Sequence, residues 1–142
     1  MTKRTSEAQW EGMLKDGKGR FWTASGEVSG VYSFGTRFEE QEGTNPEELI
    51  GAAHASCFSM ALAGDLEKAG HRPEAIRTVA TVTLQKGEEG YEITGIDLDA
   101  QAQVSGIDET ELRRVAEGTR VSCPVSKALA AVPITVQAAL VS

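Results

Sequence analysis

From Leu49 to Leu66 nearly every residue is apolar or small, with His54 and Asp65 as the main exceptions. The run opens with the signals of a helix start. Asn45 suits the N-cap, Pro46 the first helical position, and the acids Glu47 and Glu48 the first turn. Glu48 stands three residues after Asn45, the capping-box position, so it has a structural task and Glu47 is left without one. Gly70 is a typical residue just past a helix end, which predicts a helix to about Ala69. A helix apolar around its whole circumference is buried, so the rest of the chain is expected to wrap around it. Gly51, Ala55, Ala61 and Gly64 would let other backbones approach closely, including a second copy across a dimer axis.

On either side of this helix the pattern is that of strands. Between Gln9 and Phe38, aromatic and apolar patches alternate with glycine turns, as in a small antiparallel meander. After Gly70, Ile76, Thr78, Ala80, Val82 and Leu84 alternate along one strand. In the next strand the apolar phase flips around Thr94-Gly95, which predicts a β-bulge. Lys86 to Gly90 fits the hairpin loop between them. Asp108-Glu-Thr-Glu111 starts another helix, with Leu112, Val115, Ala116 and Thr119 on one face and an end near Arg120. A short helix from Pro124 to Ala131 and a strand from Pro133 to Leu140 close the chain. Strands and helices are segregated, so the class is α+β, and 142 residues suit a single domain, 1–142.

The formal net charge is −7 and the basic residues are scattered. Nucleic acid and anionic membrane surfaces, which need clustered cations, are disfavoured as partners. Asp65 and Glu67 interrupt the best candidate for a bilayer span, and the polar N-terminus lacks the apolar stretch of a signal peptide. A cytoplasmic location is the default expectation. There a pair of cysteines is more often redox-active than structural. The two cysteines, Cys57 and Cys123, have no metal-ligand spacing with each other or with His54 and His71. Either they meet in space and do redox chemistry, or they are two unrelated buried thiols.

Local context favours Cys123 as the more acidic thiol, because it falls at the N-cap position before Pro124, where free amides favour a thiolate. Cys57 lies deep in the apolar helix, where desolvation raises its pKa. It becomes a nucleophile only if a cation reaches it, and Arg37, on an extended segment before the helix, is the candidate. Glu47 is a candidate to orient that arginine through a bidentate pair. Glu47 and Cys57 are ten residues apart, about 15 Å along a helix. Either Arg37 swings between them, or the carboxylate comes from a second copy of the chain. His54 shares a helix face with Cys57 and is read as site-lining ahead of a base; a Cys-His acyl hydrolase is the minor alternative.

The stretch Thr44-Asn-Pro-Glu-Glu-Leu-Ile-Gly-Ala-Ala-His-Ala-Ser-Cys-Phe-Ser-Met60, with Cys-Pro-Val-Ser126, Gly35-Thr-Arg-Phe-Glu39 and Gln9-Trp-Glu-Gly12, resembles the osmotically inducible protein C group of the OsmC/Ohr superfamily. The likeness covers essentially the whole chain. It implies antiparallel sheets around long central helices in an intertwined homodimer, with sites at the subunit interface. It implies a thiol-dependent peroxidase that reduces organic hydroperoxides to alcohols in stress defence. By motif position, Cys57 matches the peroxidatic cysteine, Cys123 the resolving one, Arg37 the arginine that holds the thiolate and Glu47 its partner. This reverses the local ranking of the two thiols. The resemblance implies no metal, haem or flavin, and a dithiol or lipoyl protein as reductant. Phe58, Met60 and the aromatics near Tyr32 and Phe34 are expected to favour alkyl or lipid hydroperoxides. A non-catalytic stress or small-molecule binding protein of the same fold is the alternative.

Overall fold

In a computed structural model describing residues 1–142, the chain runs β1 (Ser6–Glu11), β2 (Lys18–Thr23), β3 (Ser29–Tyr32), α1 (Phe34–Phe38), α2 (Pro46–Lys68), β4 (Arg72–Gly87), β5 (Gly90–Ser105), α3 (Glu109–Ser122), α4 (Pro124–Ala128) and β6 (Ile134–Leu140). It forms two compact units, residues 1–49 and 50–142, with the boundary in the first turn of α2. The class is α+β, as the segregation of strands and helices predicts.

In the first unit β1, β2 and β3 make the expected antiparallel meander. Trp10 and Tyr32 both register opposite Gly19, and their ring centroids are 5.7 Å apart. A Cβ on Gly19 would lie 2.5 Å from the Tyr32 ring and 2.9 Å from the Trp10 ring. Glycine is therefore what lets the two aromatics close over the middle strand. No apolar side chain of residues 1–49 is fully buried, so this unit has no core of its own.

The segment carrying Arg37 is a short helix, α1, and not the extended strand expected. The Ser33 hydroxyl accepts from the Thr36 amide at 3.2 Å, and the Thr36 hydroxyl accepts from the Ser33 amide at 2.8 Å. This reciprocal cap nucleates a turn that the aromatic-glycine pattern of a strand conceals.

The second unit holds the core. β4 and β5 form a long hairpin closed at Gly87 and Gly90, and the register shifts between Thr83 and Leu84, leaving Thr94 as the bulged residue. This is the bulge that the phase flip predicts. A second shift, between Pro73 and Ala75, was not foreseen. β6 pairs with β5 in parallel, so this sheet is mixed and not purely antiparallel. The physical reason is the crossover through α3 and α4, which returns the chain in the same direction.

The termini of α2 match their signals. Asn45 caps the Glu48 amide at 2.8 Å, and Gly70 takes φ +87° while the His71 amide closes on the Leu66 carbonyl at 2.9 Å. The expectation of all-round burial fails within one chain. Buried positions form one stripe, Gly51, His54, Phe58, Leu62 and Leu66, whereas Met60 is 82% exposed. Gly64 faces open space. Phe58 is wholly in the core, clustered with Leu62, Ile96, Leu98 and Leu112, and so does not line an open site. By length and composition α2 would suffice to cross a bilayer, with a mean hydropathy of 1.3, contrary to the reading of Asp65 and Glu67 as interruptions.

α3 runs two residues beyond Arg120, and α4 stops at Ala128, short of Ala131. The Thr119 hydroxyl donates to Asp65 at 2.6 Å, tying α3 to α2. Replacing Phe58 by Ala is expected to cost about 3–5 kcal/mol in denaturant unfolding. A loss below about 1 kcal/mol would place the core elsewhere.

Candidate active site: a thiol pair and an arginine–glutamate pair

Each unit contributes one half of the set predicted from sequence. In the first unit the capped turn of α1 presents Arg37 to the first turn of α2. Arg37 Nη2 donates to Glu47 Oε1 at 2.6 Å, and Nε donates to Oε1 at 3.1 Å and to Oε2 at 3.3 Å. Two donors of the planar fork thus meet one carboxylate, the geometry in which arginine pairs are strongest. The Glu47 side chain is only 9% exposed, that of Arg37 37%. Asn45 adds to the junction by donating from Nδ2 to the Thr36 carbonyl at 3.3 Å. The pair forms within one chain, so it needs no carboxylate from a second copy. Glu48 does not close the capping box expected of it; its carboxylate accepts from the Thr44 hydroxyl at 2.7 Å instead. The Arg37 guanidinium also lies over the Phe38 ring, 5.4 Å from its centroid. Beside it is a cavity of about 250 Å³ lined by Trp10, Tyr32, Phe34 and Phe38 among others.

In the second unit the two cysteines meet. Cys57 projects from α2 beside the buried stripe, and Cys123 is both the last cap of α3 and the N-cap of α4. Their sulfurs are 3.0 Å apart and both thiols are free. Cys123 is fully buried, whereas Cys57 is partly open. Burial pushes the Cys57 thiol up, and the hydrogen bond with Cys123 adds to that; the Val125 amide opposes in part. Burial also pushes Cys123 up, but hydrogen bonds from Cys57 and from the hydroxyl and amide of Ser126 prevail and bring it below the usual thiol value. The two thiols titrate as a coupled pair, with Cys123 the easier to ionise in the absence of a cation. This agrees with the local ranking read from sequence.

His54 does not reach Cys57. Its Nε2 lies 2.8 Å from Ser126 Oγ, and its buried Nδ1 has no partner. Burial lowers its pKa from the ordinary 6.5, so the ring is neutral. This geometry gives no base for an acyl hydrolase at Cys57. No three His, Cys, Asp or Glu side chains gather as a metal-binding group. Sequence reasoning assigned no role to Ser126, which α4 places at the centre of this network. Its signal was present: a serine three residues after a helix-capping cysteine, next to a cap with free amides.

The geometry defines an α+β protein with a closely apposed dithiol. Among known proteins, the model of the OsmC-like protein family matches residues 39–137. The chain is 47% identical over 129 residues to the peroxiredoxin OsmC of Escherichia coli (strain K12), across 90% of both chains. It is 32% identical over 94 residues to the organic hydroperoxide resistance protein OhrA of Bacillus subtilis (strain 168), across 62% of this chain and 61% of that one. The solved structure of the organic hydroperoxide resistance protein OhrB of Bacillus subtilis superposes with a TM-score of 0.76 at 23% identity, over 95% of this chain and 98% of that one. The chain belongs to the OsmC-like protein family.

Mild oxidation with diamide is expected to close a Cys57–Cys123 disulfide within one chain, read as the loss of two hydrogens in the intact mass. Dimers linked between chains would contradict the geometry. A neutral buried histidine also has a pH signature. His54 binds its proton less well folded than unfolded, so stability falls as pH drops below 6.5, the unfolded value. His54→Gln is expected to flatten that decline between about pH 6.5 and 5, above most carboxylate titrations. Parallel stability–pH curves for the two proteins would refute it.

Proposed function

We propose that this chain is a thiol-dependent peroxidase that reduces organic hydroperoxides to alcohols. The observation that carries this reading is the 3.0 Å approach of the Cys57 and Cys123 sulfurs. The family membership supports it, since its relatives bear the names peroxiredoxin and organic hydroperoxide resistance protein.

Cys57 is the peroxidatic residue, because it is the sulfur open to an entering substrate. Its thiolate attacks the distal peroxide oxygen. The O–O bond breaks, the alkoxide leaves and takes a proton, and Cys57 becomes a sulfenic acid. Cys123 then attacks that sulfur, water departs, and a disulfide remains. An external dithiol or lipoyl protein returns both cysteines to thiols. Arg37 supplies the charge that makes Cys57 and not Cys123 the thiolate, and Glu47 fixes the guanidinium plane for that task. The arginine still has Nη1 unbonded after pairing with Glu47, which leaves donors for a sulfur or a peroxide oxygen.

The active form is a homodimer built from single domains spanning 1–142. A first unit without a core and an apolar α2 with Met60 open to solvent both call for cover, and a second copy supplies it at no cost in new sequence. The aromatic cavity beside Arg37 selects organic hydroperoxides over hydrogen peroxide.

In steady-state assays with cumene hydroperoxide and a dithiol, Cys57→Ser is expected to abolish turnover. Cys123→Ser should allow one oxidation of Cys57 and no internal disulfide. Turnover retained by Cys57→Ser would make Cys123 the nucleophile. Arg37→Met is expected to slow Cys57 oxidation by on the order of 100-fold. Equal efficiency toward hydrogen peroxide would refute the selectivity assigned to the aromatic cavity.

A further inference from the structure

Asn45 caps α2, but its side chain also reaches α1. Asn, Asp and Ser cap helices about equally well, because a cap needs only an oxygen that accepts. Of these, only asparagine carries an amide nitrogen beside that oxygen, with two protons to donate. Both ends of the Asn45 amide are engaged. Oδ1 accepts from the Glu48 amide at 2.8 Å, and Nδ2 donates to the Thr36 carbonyl at 3.3 Å.

The Thr36 carbonyl is a consequential acceptor. α1 spans five residues, so its last carbonyls find no amide within it. The Thr36 carbonyl belongs to the peptide unit whose other end is the Arg37 N–H, and that unit is planar. The Arg37 N–H donates to the Ser33 carbonyl at 3.2 Å. The plane is therefore held at both ends, by Ser33 at the start of α1 and by Asn45 at the start of α2. The Thr36 side chain adds to this, since its hydroxyl accepts from the Ser33 amide and donates to the Ser33 carbonyl at 3.1 Å. A peptide plane fixed in this way sets the direction in which Arg37 projects. Two residues beyond Asn45, Glu47 receives the guanidinium through Nε and Nη2. Asn45 and Glu47 thus hold the backbone and the head group of the same arginine from one helical turn.

We propose that Asn45 is a positioning residue for Arg37. Its amide nitrogen fixes the peptide plane from which the arginine projects, so that two guanidinium donors meet Glu47 and Nη1 is left for the reacting groups. The inference rests on the peroxidase reading given above, in which Arg37 stabilises the Cys57 thiolate. A flexible side chain delivers its donors to one place only when its root is fixed as well as its tip, and small misplacements of a charged group are costly to a reaction.

The test separates capping from donation. Asn45→Asp keeps the shape and the capping oxygen but turns the donor into an acceptor facing the Thr36 carbonyl. Asn45→Ser keeps a neutral cap and drops the amide nitrogen, so it separates that loss from the added charge. Hydrogen exchange of the Arg37 Nε–H, followed by heteronuclear NMR on the full reduced chain, reports on the arginine directly. Both variants are expected to exchange it about fivefold faster, the scale of one lost hydrogen bond. The thermal midpoint should change little, because both still cap α2. A residue that only capped α2 would leave the arginine unmoved in both. Oxidation of Cys57 by cumene hydroperoxide should slow about fivefold in the same two variants, in the direction of Arg37→Met. Exchange unmoved in Asn45→Ser would overturn the inference, whatever Asn45→Asp does. So would faster exchange with undiminished oxidation, where Arg37→Met does slow that step. If Arg37→Met is oxidised at the unmodified rate, the part of Arg37 in the peroxidase reading fails instead, and the exchange rates alone decide whether Asn45 positions it.

Discussion

Everything in the second unit is organised by a single stripe on α2. His54, Phe58, Leu62 and Leu66 follow one another at four-residue steps and are all fully buried. Phe58, Leu62 and Leu66 pack with the β5 residues Ile96, Leu98, Ala100 and Ala102 and with Leu112 and Ala116 of α3. That packing fixes the rotation of the helix about its axis. Once the rotation is fixed, Cys57 must lie at the edge of the stripe, partly open, and His54 must lie inside it. α3 ends against the same surface, held by the bond from Thr119 to Asp65, and the corner after it delivers Cys123 and Ser126. The site is therefore a consequence of core packing, and its precision is that of a close-packed interior. A loop could not hold two sulfurs at 3.0 Å with comparable reliability.

What was legible in sequence was what local chemistry decides. The Asn45 cap, the Gly70 stop and the Asp108 cap all depend on side chain and backbone a few residues apart, and all stand where the residues put them. The Thr94 bulge was legible because a one-residue insertion reverses the alternation of a strand. The direction of β6 was not, because nothing within a strand records the orientation of its neighbour. The helix at Phe34–Phe38 was missed for a related reason. Phe34, Phe38 and Gly35 suit an extended segment, and only the Ser33–Thr36 cap, with a threonine where a Glu or Gln is the usual partner, marks the turn. Arg37 was legible as a candidate and Glu47 as an acid without a local task, but their contact within one chain required both helices to be placed.

Burial was misjudged in an instructive way. A run of small and apolar residues says that a helix can be covered on all sides. It does not say what covers it. Residues that approach the sheet, such as Gly51, and residues that face outward, such as Gly64, read alike in sequence. The same limit applies to the aromatic meander, whose Trp10, Phe21 and Tyr32 cluster on one another without becoming a buried core. Both surfaces carry apolar side chains beyond what one chain buries, and an α+β chain of 142 residues has enough hydrophobic content to bury them in an assembly.

The two cysteines illustrate why a pair of groups cannot be ranked one at a time. Two unit charges at about 4 Å repel by about 4 kcal/mol at an effective dielectric of 20. Ionisation of either sulfur therefore opposes ionisation of the other 3.0 Å away, and the question is which one ionises first. Amides and the Ser126 hydroxyl pull the negative charge toward Cys123, while burial works against it at Cys57. A cation supplied to Cys57 shifts the proton to Cys123 without any movement of the backbone. Oxidation of Cys57 then removes its charge altogether, and the donors around Cys123 are left facing the only sulfur that can still become a thiolate. Under the proposed reaction, these two environments give each sulfur its own step, the partly open Cys57 for the peroxide and the buried Cys123 for closure.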